Sequence, residues 1–216
     1  MRRTITLLSF VLLAIAAQAQ QTIKLPEPNM KLNMTLMEAL ELRHSERTYG
    51  KREIQPEVLS QILWAACGYN RVDQGKITAP SAINAQDIIV FVCNSQGVFR
   101  YEPKEHALTR VSKQDIRTAV AGRQAFAAEA PLSLVLVSDH SKFGGHQNGA
   151  ARMGMIDSGY VSQNISLICT ALGLNTVPRM TMDSDAIRME LGLDNTYDLL
   201  LNHPIGYPAK QNCQMK

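Results

Sequence analysis

Leu42-Arg43-His44-Ser45-Glu46-Arg47-Thr48-Tyr49 places two guanidinium groups four residues apart, on either side of a hydroxyl. The chain turns between them, so Arg43 and Arg47 can face one ligand from different sides. A dianionic phosphate suits such a group, because guanidinium forks supply charge and Ser45 a further hydrogen bond. Taken alone, the eight residues are better read as a solvated helix end whose charges pair with Glu41 and Glu46. A second stretch, Ala79-Pro80-Ser81-Ala82-Ile83-Asn84-Ala85-Gln86, leads into the apolar run Ile88–Val92. Its small residues let a flat ring approach the backbone. The amides of Asn84 and Gln86 both donate and accept, which fits polyol hydroxyls or the edge of a heterocycle. A third, Gly206-Tyr207-Pro208-Ala209-Lys210, puts a cation just past a terminal apolar segment.

The elements that must position these residues follow from periodicity and caps. Thr35-x-x-Glu38 is a capping-box pattern and opens a short helix ending near Arg43. Pro56 suits the first turn of a helix over 56–67, with Val58, Leu59, Ile62, Leu63 and Ala66 on its apolar face. Ile88–Val92 reads as a buried strand, Phe99–Tyr101 as a shorter one and Leu132–Val137 as another. Ser112-x-x-Asp115 predicts a helix running to about Glu129. A long helix covers 149–172, with Gly173 as its stop signal. Asp183 or Ser184 caps a helix ending at Gly192, and Leu199–Ile205 is a last strand. Three to five strands, most of them separated by helices, give a mixed α and β chain and exclude an all-β sandwich. No strand is followed by G-x-G-x-x-G, and there is no Walker A loop, G-x-S-x-G elbow or H-E-x-x-H.

Composition limits the classes that remain. The 216 residues suffice for one domain with a real core. The formal charge of +3 argues against a nucleic-acid partner. Residues 1–19 hold the basic pair Arg2-Arg3, an apolar run from Ile5 to Ala17 and an A-x-A site at Ala17-Gln18-Ala19. This predicts a cleaved signal peptide, a single domain over 20–216 and a periplasmic or secreted protein. The run is too short for a resident span, and no Cys follows it, so no stable membrane anchor is expected. Without these residues, 20 basic groups face 19 acidic ones. Cys67, Cys93, Cys169 and Cys213 show no CxxC or metal spacing and read as free thiols. His140 and His146 flank a Gly-rich turn, which reads as a surface loop rather than a metal site.

In order and spacing, the three stretches resemble the FMN-dependent nitroreductase family. RHSERTY resembles that family's R-x-S-x-R/K motif and APSAINAQ its P-S-x-x-N-x-Q turn. Phe126-Ala127-Ala128-Glu129-Ala130-Pro131 resembles its junction before a core strand. Leu172-Gly173-Leu174 with Val177-Pro178, and Ile205-Gly206-Tyr207-Pro208, resemble its later segments. The resemblance covers roughly 34–211. It implies an α+β fold, with a central mixed, mostly antiparallel sheet flanked by helices. It also implies an intertwined homodimer with one FMN in each of two clefts between the subunits. Arg43 and Ser45, with His44 beside them, would then hold the phosphate, and Lys210 would close over it. Arg47 would lie near the N1/O2 edge of the isoalloxazine and tune it. Pro80, Ser81, Ala82 and Asn84 would wrap the ring and ribityl chain, with Gln86 in the same turn. The N–H groups of Met180 and Thr181 would face N5/O4. Two departures stand out. Asp87 occupies a place where the family often has Pro, and Met180-Thr181 one where many members have an acidic residue and Gly.

The implied activity is ping-pong hydride or electron transfer from an NAD(P)H-like donor to a small nitro, quinone, enone or aromatic acceptor. No catalytic side chain is expected, since the flavin carries the chemistry. The alternatives are an exported flavin-binding protein or electron-chain accessory with little turnover, and a dehydrogenase acting on a peptide. Gly154, Ser158, Ser162 and Ser166 form a small-residue stripe along the long helix. The stripe fits close packing within one subunit and a dimer core equally well, and the resemblance favours the dimer core.

Overall fold

The computed structural model describes residues 22–209, so the expected signal peptide, Lys210 and Cys213 lie outside the described residues. The elements are β1 (Thr22–Lys24), α1 (Leu36–Leu42), α2 (Pro56–Cys67), β2 (Tyr69–Arg71), β3 (Lys76–Ile77), β4 (Ile88–Asn94) and β5 (Gly97–Glu102). They continue with β6 (Ala107–Ser112), α3 (Arg117–Ala121), β7 (Leu132–Asp139), α4 (Ala150–Ala171), β8 (Asn175–Thr176), α5 (Ser184–Leu191) and β9 (Tyr197–Gly206). Seven strands form one sheet in the order β1-β6-β5-β4-β7-β9-β8. Every pairing in it is antiparallel. The fold is α+β, as expected.

Strand alternation divides the core. Val90 and Val92 of β4, with Leu132, Leu134 and Leu136 of β7, face a cluster built with α2 and α4. Phe91, Cys93, Val135 and Val137 face the opposite side, where Val120 of α3 and Ile187 of α5 cover them. A continuous apolar run therefore marks a strand buried on both faces. Helices α2, α4 and α5 lie within a residue or two of their expected bounds. The capping box of α1 is complete: Thr35 Oγ1 accepts from Glu38 N, and a Glu38 carboxylate oxygen accepts from Thr35 N. Cys67, Cys93 and Cys169 are buried free thiols, and burial pushes all three upward in pKa. Among the described residues, no helix is long and apolar enough to cross a membrane, and no cluster of metal-ligating side chains occurs.

Three expectations need correction. The helix predicted from Ser112 to Glu129 does not form. Ser112 instead ends β6, α3 has five residues, and a separate 3-10 turn covers Ala125–Glu129. Gly122, at φ +56° and close to the Met182 backbone, breaks the run. The strands are also not mostly separated by helices: β4, β5 and β6 are a meander joined by short turns, with β1 added at its edge. The sequence conceals β6 because its Thr109, Arg110 and Ser112 interrupt the apolar pattern.

The third correction concerns the α4 stripe, which packs inside its own subunit. Gly154, Ser158, Ser162 and Ser166 are buried in the single chain. A Cβ on Gly154 would collide with the Ser138 side chain of β7. Ser162 Oγ hydrogen-bonds with His203 of β9 at 2.8 Å. The small residues permit close approach of helix to sheet. The surface that α4 leaves open is the opposite one, with Met155, Ile156 and Tyr160.

Candidate functional site

α1 stops where the first stretch begins. Arg43 caps it in an extended conformation, and its N–H still reaches Ala39 O at 3.0 Å. Residues 44–50 then run along the sheet edge. Glu46 N donates to Thr176 O at 3.0 Å, Asn175 Nδ2 to Thr48 O at 2.8 Å, and Gly50 N to Tyr207 O at 2.7 Å. Buried Tyr49 packs on Gly206 and donates to Glu46 O at 3.0 Å. The first and third stretches are therefore neighbours, joined through β8 and the end of β9.

A buried polar chain holds this joint. Ser162 Oγ and Thr176 Oγ1 hydrogen-bond with the two ring nitrogens of His203, at 2.8 and 3.2 Å. Burial pushes His203 down to about 3, so the ring is neutral, with one nitrogen donating and the other accepting. Two residues downstream of Val177, Arg179 is buried and anchored by Gln124 Oε1, Asn202 Oδ1 and Ala121 O at 2.6–2.7 Å. Asn202 Nδ2 in turn donates to Thr181 O at 3.1 Å. These bonds fix the backbone of 179–181. Among the described residues the N–H groups of Met180 and Thr181 have no acceptor. Both residues line a cavity of about 730 Å³ with Thr118, Gly122 and Arg123. Tyr49, Lys51, Arg52 and Tyr207 line a second cavity of about 520 Å³ at the exit of the chain toward Lys210. The Arg52 guanidinium lies 4.3 Å from the centroid of the Tyr207 ring.

Of the anion-binding candidates, Arg43 is half-buried, while His44, Ser45 and Arg47 are exposed. Among the described residues neither Arg43 nor Arg47 forms an ion pair. Glu46 pairs with His44 at 3.0 Å instead. His44 is raised in pKa, first by the Leu42 carbonyl and then by Glu46. The two guanidinium groups are thus not the pair-neutralised helix end that the stretch suggested in isolation.

The second stretch is built differently. Ala82 N donates to both carboxylate oxygens of Asp157, at 2.9 and 3.1 Å. Ser81 Oγ accepts from Gln86 N at 2.9 Å, and Gln86 Nε2 donates to Gly75 O at 2.7 Å. Ile83, Asn84 and Gln86 all have positive φ, at 49°, 59° and 49°. A β-branched residue in that region is strained, and strain of this kind persists only where its surroundings enforce it. Ile83 nevertheless leaves 60% of its surface exposed, so the strained shape is not a by-product of burying that side chain. Pro80 and Asn84 are exposed, and Ser81, Ala82 and Gln86 half-buried.

The two stretches meet α4 at different points along its length. The turn hangs on Asp157 in the first half of α4. α1 instead shares a cleft with Leu167, Ile168 and Ala171 in the second half. The eleven helical steps from Asp157 to Ile168 span roughly 16 Å. Asp157 and Arg179 escaped the sequence analysis. The available signal for Asp157 was a lone acid on the buried face of α4, beside the small-residue stripe. Arg179 carried none, because a single Arg after Val177-Pro178 reads as a surface charge.

The nitroreductase-family model matches residues 40–207. The chain belongs to the nitroreductase family. A nitroreductase-type protein of Methanocaldococcus jannaschii is 29% identical over 198 residues, covering 86% of this chain and 96% of its own. The crystal structure of a nitroreductase-type protein from Ralstonia eutropha superposes with a TM-score of 0.83 at 31% identity, covering 90% of this chain and 92% of that one. A Parabacteroides distasonis protein described as an NADH dehydrogenase/NAD(P)H nitroreductase shares the fold, with a TM-score of 0.59, 18% identity and coverage of 84% and 91%. This chain is thus an oxidoreductase of the nitroreductase type, and the family resemblance read from its motifs holds.

Proposed function

We propose that the protein is an FMN-dependent oxidoreductase that works as a homodimer, with each flavin held between the subunits. The observation that carries this reading is the 179–181 segment. Its backbone is fixed by buried Arg179 and Asn202, and two N–H groups at the wall of a cavity have no acceptor among the described residues. The volume lies within the roughly 300–1,000 Å³ of small-molecule sites. Rigid backbone donors suit the N5/O4 edge of a flavin. The guanidinium groups of Arg43 and Arg47, which form no ion pair among the described residues, suit, respectively, its phosphate and the edge that becomes negative on reduction. When bound, FMN would supply the hydride chemistry, so the chain needs only to bind, orient and tune it.

The strained 80–86 turn supplies the other wall from the second subunit, in keeping with the separate points at which the two stretches meet α4. Lys210 would close over the phosphate. An NAD(P)H-like donor and a small nitro, quinone or enone acceptor would alternate over the exposed face, in keeping with the description of the Parabacteroides protein. The basic, apolar and small-residue order of residues 1–19 supports export to the periplasm or beyond. Purified protein should be yellow, and the flavin released by heat should migrate with FMN on chromatography. FAD, or no flavin after reconstitution, would overturn the assignment.

A further inference from the structure

Asp87 lies between the 80–86 turn and β4. Its side chain is fully buried. Oδ2 accepts from Ser138 Oγ of β7 at 2.5 Å, while Oδ1 has no donor among the described residues. The Asp157 carboxyl of α4, itself 2% exposed, lies within hydrogen-bonding reach. Two buried carboxyl groups in contact satisfy one another only when a proton sits between them.

The neighbours supply no other remedy. β7 contributes Ser138 and, next to it, Asp139, whose carboxylate accepts from the N–H and hydroxyl of Ser141. The turn contributes the Ala82 N–H, with Tyr69 reaching only as far as Gln86. Beyond β7, His140 is paired with Asp198, and Lys142 is exposed beside Gln86 and Ile88. Among the described residues, no Lys, Arg or His forms an ion pair with Asp87 or Asp157. Gly154 completes the enclosure, since a Cβ there would come within 3.3 Å of Asp87 Oδ2.

The geometry points to Asp157 as a positioning residue that holds the 80–86 turn through Ala82 N–H, and to Asp87 as the carrier of the proton that lets the two carboxyl groups share this pocket. Burial raises Asp87 to about 6, with Asp157 pushing in the same direction. Just below that pH Asp87 holds the proton and the turn stays in its strained shape. Above it, two like charges face each other without a cation. Rotation of Asp157 or entry of water relieves the repulsion, and either one releases Ala82. The turn itself follows from this chain's contacts; its consequence for flavin rests on the function proposed above.

Amide hydrogen exchange at Ala82, expressed as a protection factor between pH 5 and 8, reads the latch without any cofactor. Wild-type protection should fall at least tenfold, while Asp87→Asn and Asp157→Asn should each be flat, since either change removes one of the two charges. One folded variant suffices. A flat wild-type profile, or parallel falls in wild type and variants, would overturn the latch. Riboflavin is the flavin probe, because the FMN phosphate itself titrates near about pH 6. Its affinity should weaken about tenfold over the same range in wild type and stay level in either Asn variant. Level riboflavin binding beside a falling protection factor would overturn the positioning role. If riboflavin does not bind at any pH, the positioning role toward flavin falls, the proposed function is still decided by whether the protein holds FMN, and the amide profile still decides whether the pair holds the turn.

Discussion

Arg43 and Ile83 show how a single residue is set by its surroundings. Arg43 emerges from a helix end without a carboxylate partner among the described residues, which leaves its guanidinium available for a phosphate. A charge-assisted hydrogen bond is worth about 1.5–3 kcal/mol. Arg43→Ala should therefore weaken FMN binding roughly ten- to hundred-fold by fluorescence titration, and leave riboflavin nearly unchanged. Equal losses for both ligands would make Arg43 a structural residue. Ile83 is strained at φ +49° while its side chain lies mostly in solvent. Non-Gly residues in this region lose about 1–2 kcal/mol, and Gly gives back roughly 0.5–1 kcal/mol through its freer unfolded chain. Relief of the strain outweighs that loss, so Ile83→Gly should raise urea stability by up to about 1 kcal/mol. Destabilisation would mean that the turn is relaxed.

At the scale of elements, α4 is the connection between the core and both half-sites. Its buried face combines Gly154, Asp157, Ser158 and Ser162, and each has a specific partner or close neighbour on the sheet or turn or within the helix. Gly154→Ala would drive a methyl group into Ser138, itself held by Asp87. Overpacking of this sort costs about 1–3 kcal/mol. The variant should show a lower urea midpoint with an unchanged slope, together with weaker riboflavin binding because the Asp87–Asp157 pocket is displaced. Wild-type stability would show that the helix shifts freely at this point. The same α4 face explains why the spacing of small residues misled. A four-residue repeat of Gly and Ser permits close approach, and whether a sheet or a second subunit approaches is a tertiary property.

For the whole molecule, the apolar surface left exposed fits the homodimer proposed above. α1 exposes Leu36, Met37, Leu40 and Leu42, and α4 exposes Met155, Ile156 and Tyr160. Exposed apolar patches of this sort mark interaction sites. A charge at the centre of a covered patch would be buried without a partner and costs several kcal/mol. Ile156→Glu should therefore shift the protein toward monomer in light scattering and release flavin, even though Ile156 belongs to neither half-site. A dimeric, yellow Ile156→Glu protein would place the subunit contact elsewhere.

Local physics made much of this protein readable from its residues alone. Capping groups, helical periodicity and continuous apolar runs depend on neighbours within a few positions. They located α1, α2, α4, α5, β4, β7 and β9, and the order of the motifs revealed the family. What required the tertiary structure were properties set by residues far apart in the chain. The edge strand β1 and its neighbour β6 are stabilised by pairing rather than by their own composition. Arg179 is a buried anchor only because Asn202 and α3 enclose it. Asp87 faces Asp157, 70 positions away, only because α4 is pressed at Gly154 against β7 and the residue that leads into β4. The depth of that burial, which no spacing encodes, turns two ordinary acids into a pair that must share a proton.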